Sequence, residues 1–505
     1  MLRITLLIFI LFFSQSFGLE NVRCGTSRFA ENLKSPKKRI LAKEADCVPE
    51  SLYGTIDIKK TQNFIIYYTK SGPHAIRTNE YIDSIASYLE QAYKLHKNNG
   101  MKGISGAQQT HHYRQSVPAG LYPIEVIDIG LLRGWEDGEY AQTFGLTFPP
   151  DYRFHEKTEI IIENDFAWGA DCSGNISKRH FRGLQGIDYY EEWSLILRAT
   201  VFHELYHAFQ FTYYDWMRYS TFWMEASATG VEEISTPNLN DYINYLYESS
   251  SSFYNLGESM DSEGGDSFEY SWATLYLFLY SQLGSRFDSA IWSYFSDPKY
   301  SKDNFGMQLA RLVDSLQAKR GFNKNAEDLF HEYAKQIFYS GTRAKSSPYK
   351  LFWEDMPNWP NWRLNTRAPS DLQPGAFDFI RTENEPNTAS VARKSYIKDG
   401  SNTVWILSRL LENEYVTPED SAKRTMAYPN PWNPRNPKTP AIHFKNLSKD
   451  SKGIEIRSSN GALLTRIENK EDNSLSWEPE IKPAPGILYY RTLPYGKNKV
   501  LIVQY

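Results

Sequence analysis

The sequence predicts an α+β protein with a mixed sheet half, a mostly helical half and a C-terminal β-sandwich. Three observations carry this reading. Aromatic and β-branched runs alternate with one amphipathic stripe between residues 63 and 163, helical periodicity dominates 190 to 338, and short strand-like runs separated by turns recur after residue 427. Hydrophobic residues make up 41% of the 505, and with 30 glycines the composition is globular. A net charge of -4 argues against a nucleic-acid partner, which would call for a basic excess.

Residues 1 to 18 read as a secretory signal peptide, with Arg3 at the positive end, an apolar run from Ile4 to Phe13, and Ser16 and Gly18 as the small residues before the cut. The run is too short for a membrane span, so the chain is expected to be secreted or on the cell surface, and no membrane span is expected. Residues 20 to 23 lack the character of a lipoprotein cleavage site. The N-terminal segment 19 to 60 is Lys-rich from Lys34 to Lys43 and is a candidate for removal on activation. Three cysteines, Cys24, Cys47 and Cys172, leave an odd count: Cys24 and Cys47 are expected to close a short loop, with three unbridged thiols as the alternative.

Asn63 to Thr69 reads as a strand that stops at Ser71-Gly72-Pro73. Ile82, Ile85, Ala86, Leu89 and Tyr93 recur at steps of three and four, which predicts a helix over 81 to 96. Strands are predicted at 124 to 129 and 159 to 163, with a Gly- and aromatic-rich loop from Trp135 to Pro150. The tandem His111-His112 reads as part of a solvated loop rather than a second metal site. Helices are predicted at 190 to 233, 268 to 283, 289 to 295, 307 to 316 and 326 to 338, and Gly257 to Asp266 as an exposed acidic loop. Residues 346 to 426, rich in Pro, Asn and Trp, read as a β-rich linker region with strands at 376 to 381 and 403 to 407, their Trp as packing residues. The β-sandwich follows over 427 to 505.

His203-Glu204-Leu205-Tyr206-His207 is an HExxH pattern. On a helix, histidines four apart share a face and offer nitrogens to one metal, with Glu204 beside them as a base. The apolar flank Leu195 to Phe202 predicts a buried helix, in which these polar groups need partners to offset desolvation. A catalytic zinc takes three protein ligands, and Glu225, 18 residues after His207, is the expected third from a returning helix. Glu232, two turns on, is expected to support a ligand, Glu233 to point elsewhere, and Gln210 to be a structural hydrogen-bonder. Metal-activated water, Glu204 as general base and an oxyanion donor would hydrolyse a peptide bond. Tyr270 is the expected donor, with Tyr276 and Tyr213 as competitors.

Residues 64 to 73, the run TVFHELYHAFQF at Thr200 to Phe211, WMEASATGVEE at Trp223 to Glu233 and YSWATLYLFL at Tyr270 to Leu279 resemble the family of secreted bacterial metalloproteases named after a Myxococcus protein. That family is similar to gluzincins, the zinc peptidases with two His and one Glu. The resemblance implies a zinc metalloprotease domain over 61 to 345, ligands His203, His207 and Glu225, catalytic Glu204, a Zn2+ cofactor and a protein or peptide substrate. One departure is Glu225-Ala226, where many such peptidases have Glu-Gly. Tyr428 to Pro431, IEIRSSNGALLTRI at Ile454 to Ile467, Trp477 and APGILYYRTL at Ala484 to Leu493 are similar to FlgD-type immunoglobulin-like and type IX secretion sorting domains. This implies a module for sorting or attachment that meets secretion or cell-surface machinery, with a plain accessory sandwich as its alternative. The rival to the peptidase is a non-catalytic surface or extracellular binding protein built on a degenerate peptidase fold.

Overall fold

The computed structural model describes Cys24 and residues 53–131, 143–149, 158–167, 186–213, 222–262, 266–300, 304–320, 324–412, 425–445, 447, 451–469, 475–493 and 499–504. The expected signal peptide, Cys47 and Cys172 lie outside them. The fold is α+β, in two compact units, 1–412 and 413–505. No described helix is long and apolar enough to cross a membrane.

Unit one opens with a five-stranded sheet in the order β1-β2-β3-β5-β4, formed by β1 (Ile56–Lys60), β2 (Phe64–Thr69), β3 (Tyr122–Ile127), β4 (Gly145–Phe148) and β5 (Glu159–Glu163). β2, β3 and β5 run parallel, and the two edges, β1 and β4, pair antiparallel. Every residue of β2, β3 and β5 is buried. Such strands, covered on both faces, read as continuous apolar runs instead of alternating. The crossover from β2 to β3 carries α1 (Asn79–Asn98), capped where the Tyr81 amide donates to Thr78 Oγ1. Its stripe of Ile82, Ile85, Ala86 and Leu89 is buried.

Two expectations fail in this half. The stretch Trp135 to Pro150 is not loop throughout, because Gly145 to Phe148 pairs with Ile162 to Glu159 as β4. Four residues leave no periodicity to read, and pairing with β5 supplies the order. His112 is buried rather than solvated. The amides of His112 and Tyr113 donate to Glu125 at 2.9 and 2.7 Å, and that of His111 to Glu159 at 3.1 Å.

The helical half comprises α2 (Trp193–Gln210), α3 (Phe222–Ser235), α4 (Ile243–Tyr247), α5 (Asp266–Ser271), α6 (Ala273–Leu283), α7 (Phe287–Phe295), α8 (Phe305–Arg320) and α9 (Ala326–Ile337). From Val201 to Gln210 every residue of α2 is buried, as expected of a helix apolar on all sides. His96 of α1 packs against Phe202, Tyr206 and Phe209 of α2. α3 closes on α6 at Gly230, where an added Cβ would fall 2.7 Å from Tyr276 Cγ. The described part of the acidic loop is docked at two points: Gly257 and Met260 amides donate to Phe377 and Gly375 carbonyls at 3.0 Å each, and Met260 is buried, while Glu258 is exposed as expected.

Residues 346–412 belong to unit one. A sheet of β6 (Ala376–Arg381), β8 (Asn402–Arg409) and β7 (Arg393–Asp399), in that order, is tied to α9, where His331 bonds Ser408 and Ser395 at 2.8 Å each. Trp359 and Trp362 are core residues, and Trp359 donates to the Tyr242 hydroxyl at 2.7 Å. In unit two, β9 (Met426–Tyr428), β10 (Ile442–Lys445) and β13 (Leu475–Trp477) form one antiparallel sheet. β11 (Gly453–Ser458), β12 (Leu463–Glu468), β14 (Gly486–Leu493) and β15 (Lys499–Val503) form a second. Their inner faces share one core that includes Phe444, Ile456, Tyr490 and Leu501.

Candidate metal centre

His203 and His207 stand one turn apart on α2, and their Nε2 atoms face each other at 2.9 Å. Glu225, in the first turn of α3, puts Oε2 3.3 Å from His203 Nε2 and Oε1 3.5 Å from His207 Nε2. Cys24 adds its Sγ at 3.3 Å from His207 Nε2. All four residues are buried, and their donor atoms lie within 4.8 Å of one another. Four tetrahedral ligands held at about 2.1 Å from a common metal sit about 3.4 Å apart. The His203–His207, His203–Glu225, His207–Glu225 and His207–Cys24 distances, 2.9 to 3.5 Å, bracket that spacing.

The groups behind the imidazoles set their orientation. Gln210 Oε1 lies 2.8 Å from His207 Nδ1, while Gln210 Nε2 donates to Met224 O and Ser227 Oγ of α3 at 3.0 Å each. Glu232 Oε1 accepts a short hydrogen bond from His203 Nδ1. An acceptor at each Nδ1 places the proton there and turns the Nε2 lone pair inward, the arrangement that outer groups give metal-ligating histidines. The expected roles of Glu232 and Gln210 match these contacts. Glu233 points away and accepts from Trp353 Nε1 at 3.1 Å.

Two inward lone pairs and a carboxylate repel one another unless a positive charge lies among them. Both Glu225 oxygens are buried without a hydrogen bond from a described residue. With protons as the only cations, burial works to lower the His207 pKa, but Glu225 and Cys24 outweigh it and push it up to about 10. His203 rises well above its ordinary value against the same burial, through Cys24 and Glu232. The donor set therefore demands a cation, and a metal ion fits it.

Glu204, the other polar residue of the motif, is buried beside the cluster and tied to the sheet edge: Thr147 Oγ1 donates to its Oε2 at 2.7 Å and approaches its carbonyl at 2.8 Å. β4 passes so close that a Cβ on Gly145 would lie 2.8 Å from Glu204 Oε1 and nearer still to Cγ. Only glycine admits the carboxylate there. A small cleft bordered by Phe144, Thr200, His203, Glu204, Glu232 and Cys24 opens at this point.

Tyr270 is brought to the site. Its ring stacks on His203, with centroids 6.3 Å apart, and on Tyr245 at 4.5 Å, and its hydroxyl donates to the Cys24 carbonyl at 3.4 Å. The competitors are engaged elsewhere. Tyr276 packs on Trp223 and Phe287, and the Tyr213 hydroxyl accepts the Lys102 amide at 2.6 Å. Cys24 is what the sequence reading missed. Among the described residues it forms no disulfide and its Sγ contacts His207, while its expected partner Cys47 lies outside them. The odd cysteine count was the one available signal.

Comparison of the chain with protein-family profiles, characterised proteins and solved structures finds no match. The site is accordingly read from its own chemistry.

Proposed function

We propose that this chain is a secreted zinc-dependent endopeptidase of gluzincin type, with His203, His207 and Glu225 as ligands and Glu204 as general base. The observation that carries the reading is the convergence of two imidazole Nε2 atoms and an otherwise unbonded carboxylate beside a glutamate anchored to a sheet edge. Three such N and O ligands are a catalytic zinc set.

Zinc, when bound, supplies Lewis acidity toward water and toward a carbonyl oxygen. The chain's residues supply the rest. With Oε2 held by Thr147, Glu204 takes a proton from the attacking water and delivers it to the leaving nitrogen. Tyr270 donates a hydrogen bond to the oxyanion once its hydroxyl is released from Cys24. β4, an edge strand beside Glu204, offers backbone groups on which an extended peptide adds as a further strand. The paired sheets of unit two support an immunoglobulin-like reading of residues 427 to 505, for sorting or attachment through secretion or cell-surface machinery.

The test is metal content by elemental mass spectrometry together with peptide hydrolysis by the purified mature protein. Near one zinc per chain, lost in His203→Ala, and hydrolysis lost in Glu204→Gln with zinc retained are expected. Zinc without Glu204-dependent turnover, both before and after treatment with an organomercurial thiol reagent, would replace this reading with the non-catalytic binding protein.

A further inference from the structure

We propose that Cys24 is a fourth ligand of this metal and holds the peptidase latent until the chain beyond it is cut; this rests on the peptidase reading above. Three contacts converge on this one residue. Its Sγ stands 3.3 Å from His207 Nε2, within the spacing of the other three donors. Its backbone makes a parallel bridge to Gly145, on the edge that would receive an extended peptide. Its carbonyl accepts the Tyr270 hydroxyl. One residue thus covers the position a water would take, the docking edge and the oxyanion donor.

A thiolate is a strong zinc ligand, and a four-ligand protein site is closed to water, as structural sites are. Two features separate this site from a permanent structural one. Glu204 lies buried in the same cleft with a carboxylate that a structural site has no use for. Cys24 also comes from outside the sheet and helices that carry the other ligands, 31 residues (25 to 55) before the first residue of β1. While the chain is continuous, the thiolate returns to the metal intramolecularly, at an effective concentration far above that of a dilute peptide. Once it is cut, the thiolate leaves with its electron pair, takes a proton from solvent, and rebinds only as a dilute peptide. Water then takes the vacated position, and Tyr270 is freed.

Cobalt substitution of the full mature chain, followed by absorption spectroscopy and peptide hydrolysis, tests this. Wild type is expected to show a near-ultraviolet thiolate-to-cobalt charge-transfer band that Cys24→Ala lacks while keeping the visible cobalt bands. Cys47→Ala and Cys172→Ala should keep the band. Glu204-dependent hydrolysis should rise on the order of a hundredfold in Cys24→Ala. An organomercurial thiol reagent should raise it in the wild type, which requires no variant to fold. Bound cobalt with no charge-transfer band overturns the ligand role and leaves the peptidase reading standing. A band present in wild type with equal Glu204-dependent hydrolysis in both proteins overturns latency alone. Bound cobalt with no Glu204-dependent hydrolysis in either protein, or after the mercurial, overturns the peptidase reading and latency with it.

Discussion

Two buried polar clusters in unit one pair histidines with glutamates, and they differ in what satisfies them. Around Glu125 and Glu159 the chain brings its own donors, the amides of His111, His112 and Tyr113. Burial, with Glu125 as a neighbour, lifts Glu159 well above the carboxylate range, and the His111 amide meets only one of its oxygens, leaving Oε2 buried without a hydrogen bond from a described residue. Around His203, His207 and Glu225 the acceptors and lone pairs face inward instead. Backbone amides reach the carboxylates of the first cluster, whereas no described hydrogen-bond donor reaches either oxygen of Glu225 in the second. Burial of ionisable groups is common to both, so it is the direction of the donors that marks the second as a candidate metal centre.

The sharpest way to break this contrast is Glu204→Gln, which should lower peptide hydrolysis on the order of a hundred- to ten-thousandfold, measured as kcat/KM, with metal content unchanged. Glu232→Gln should weaken metal binding about 10- to 100-fold in a competition titration with a chromogenic chelator, because the His203 Nδ1 proton loses its carboxylate. Glu125→Ala should do the opposite: metal stoichiometry stays at the wild-type value while urea unfolding shows a loss of about 1–3 kcal/mol for orphaned amides. Equal metal loss in Glu125→Ala and Glu232→Gln would erase the distinction.

A smaller effect comes from two histidines away from the candidate metal centre. Burial pushes His96 down to about 3 and His331 down to about 4. Both stay neutral in the folded protein while the unfolded chain protonates near the ordinary value of about 6.5. The unfolded state therefore binds more protons as pH falls, and stability present above 6.5 is lost progressively toward 4 and below. Urea midpoints should fall across that window, and less steeply in His331→Asn. A flat profile there would contradict a buried, neutral His331.

Much of this was legible in the residues, for physical reasons that also mark where legibility ends. α1 declared itself through Ile82, Ile85, Ala86 and Leu89, because a helix with one buried face repeats its apolar residues. His203, Glu204 and His207 were legible because four-residue spacing and a shared face are the same fact on a helix. Glu225 followed from the length needed to turn back. β4 was not legible, since Gly145 answers to the Glu204 side chain and Thr147 to its carboxylate, both 57 or more positions away. β1 and β7, whose runs IDIKK and RKSYIKD are polar and partly exposed, carried too little apolar signal. Cys24 meets His207 across 183 positions, a contact that no local pattern encodes.

The short edge strand β4 has one more consequence. Side chains alternate along a strand, so Gly145 and Thr147, two apart, share the face that grips Glu204. The Glu204 carboxylate is thereby clamped to a graduated edge. A chain lying along that edge keeps its facing when it slides by two residues and inverts it when it slides by one. On the peptidase reading β4 would act as a ruler, with its zero mark at the glycine beside Glu204.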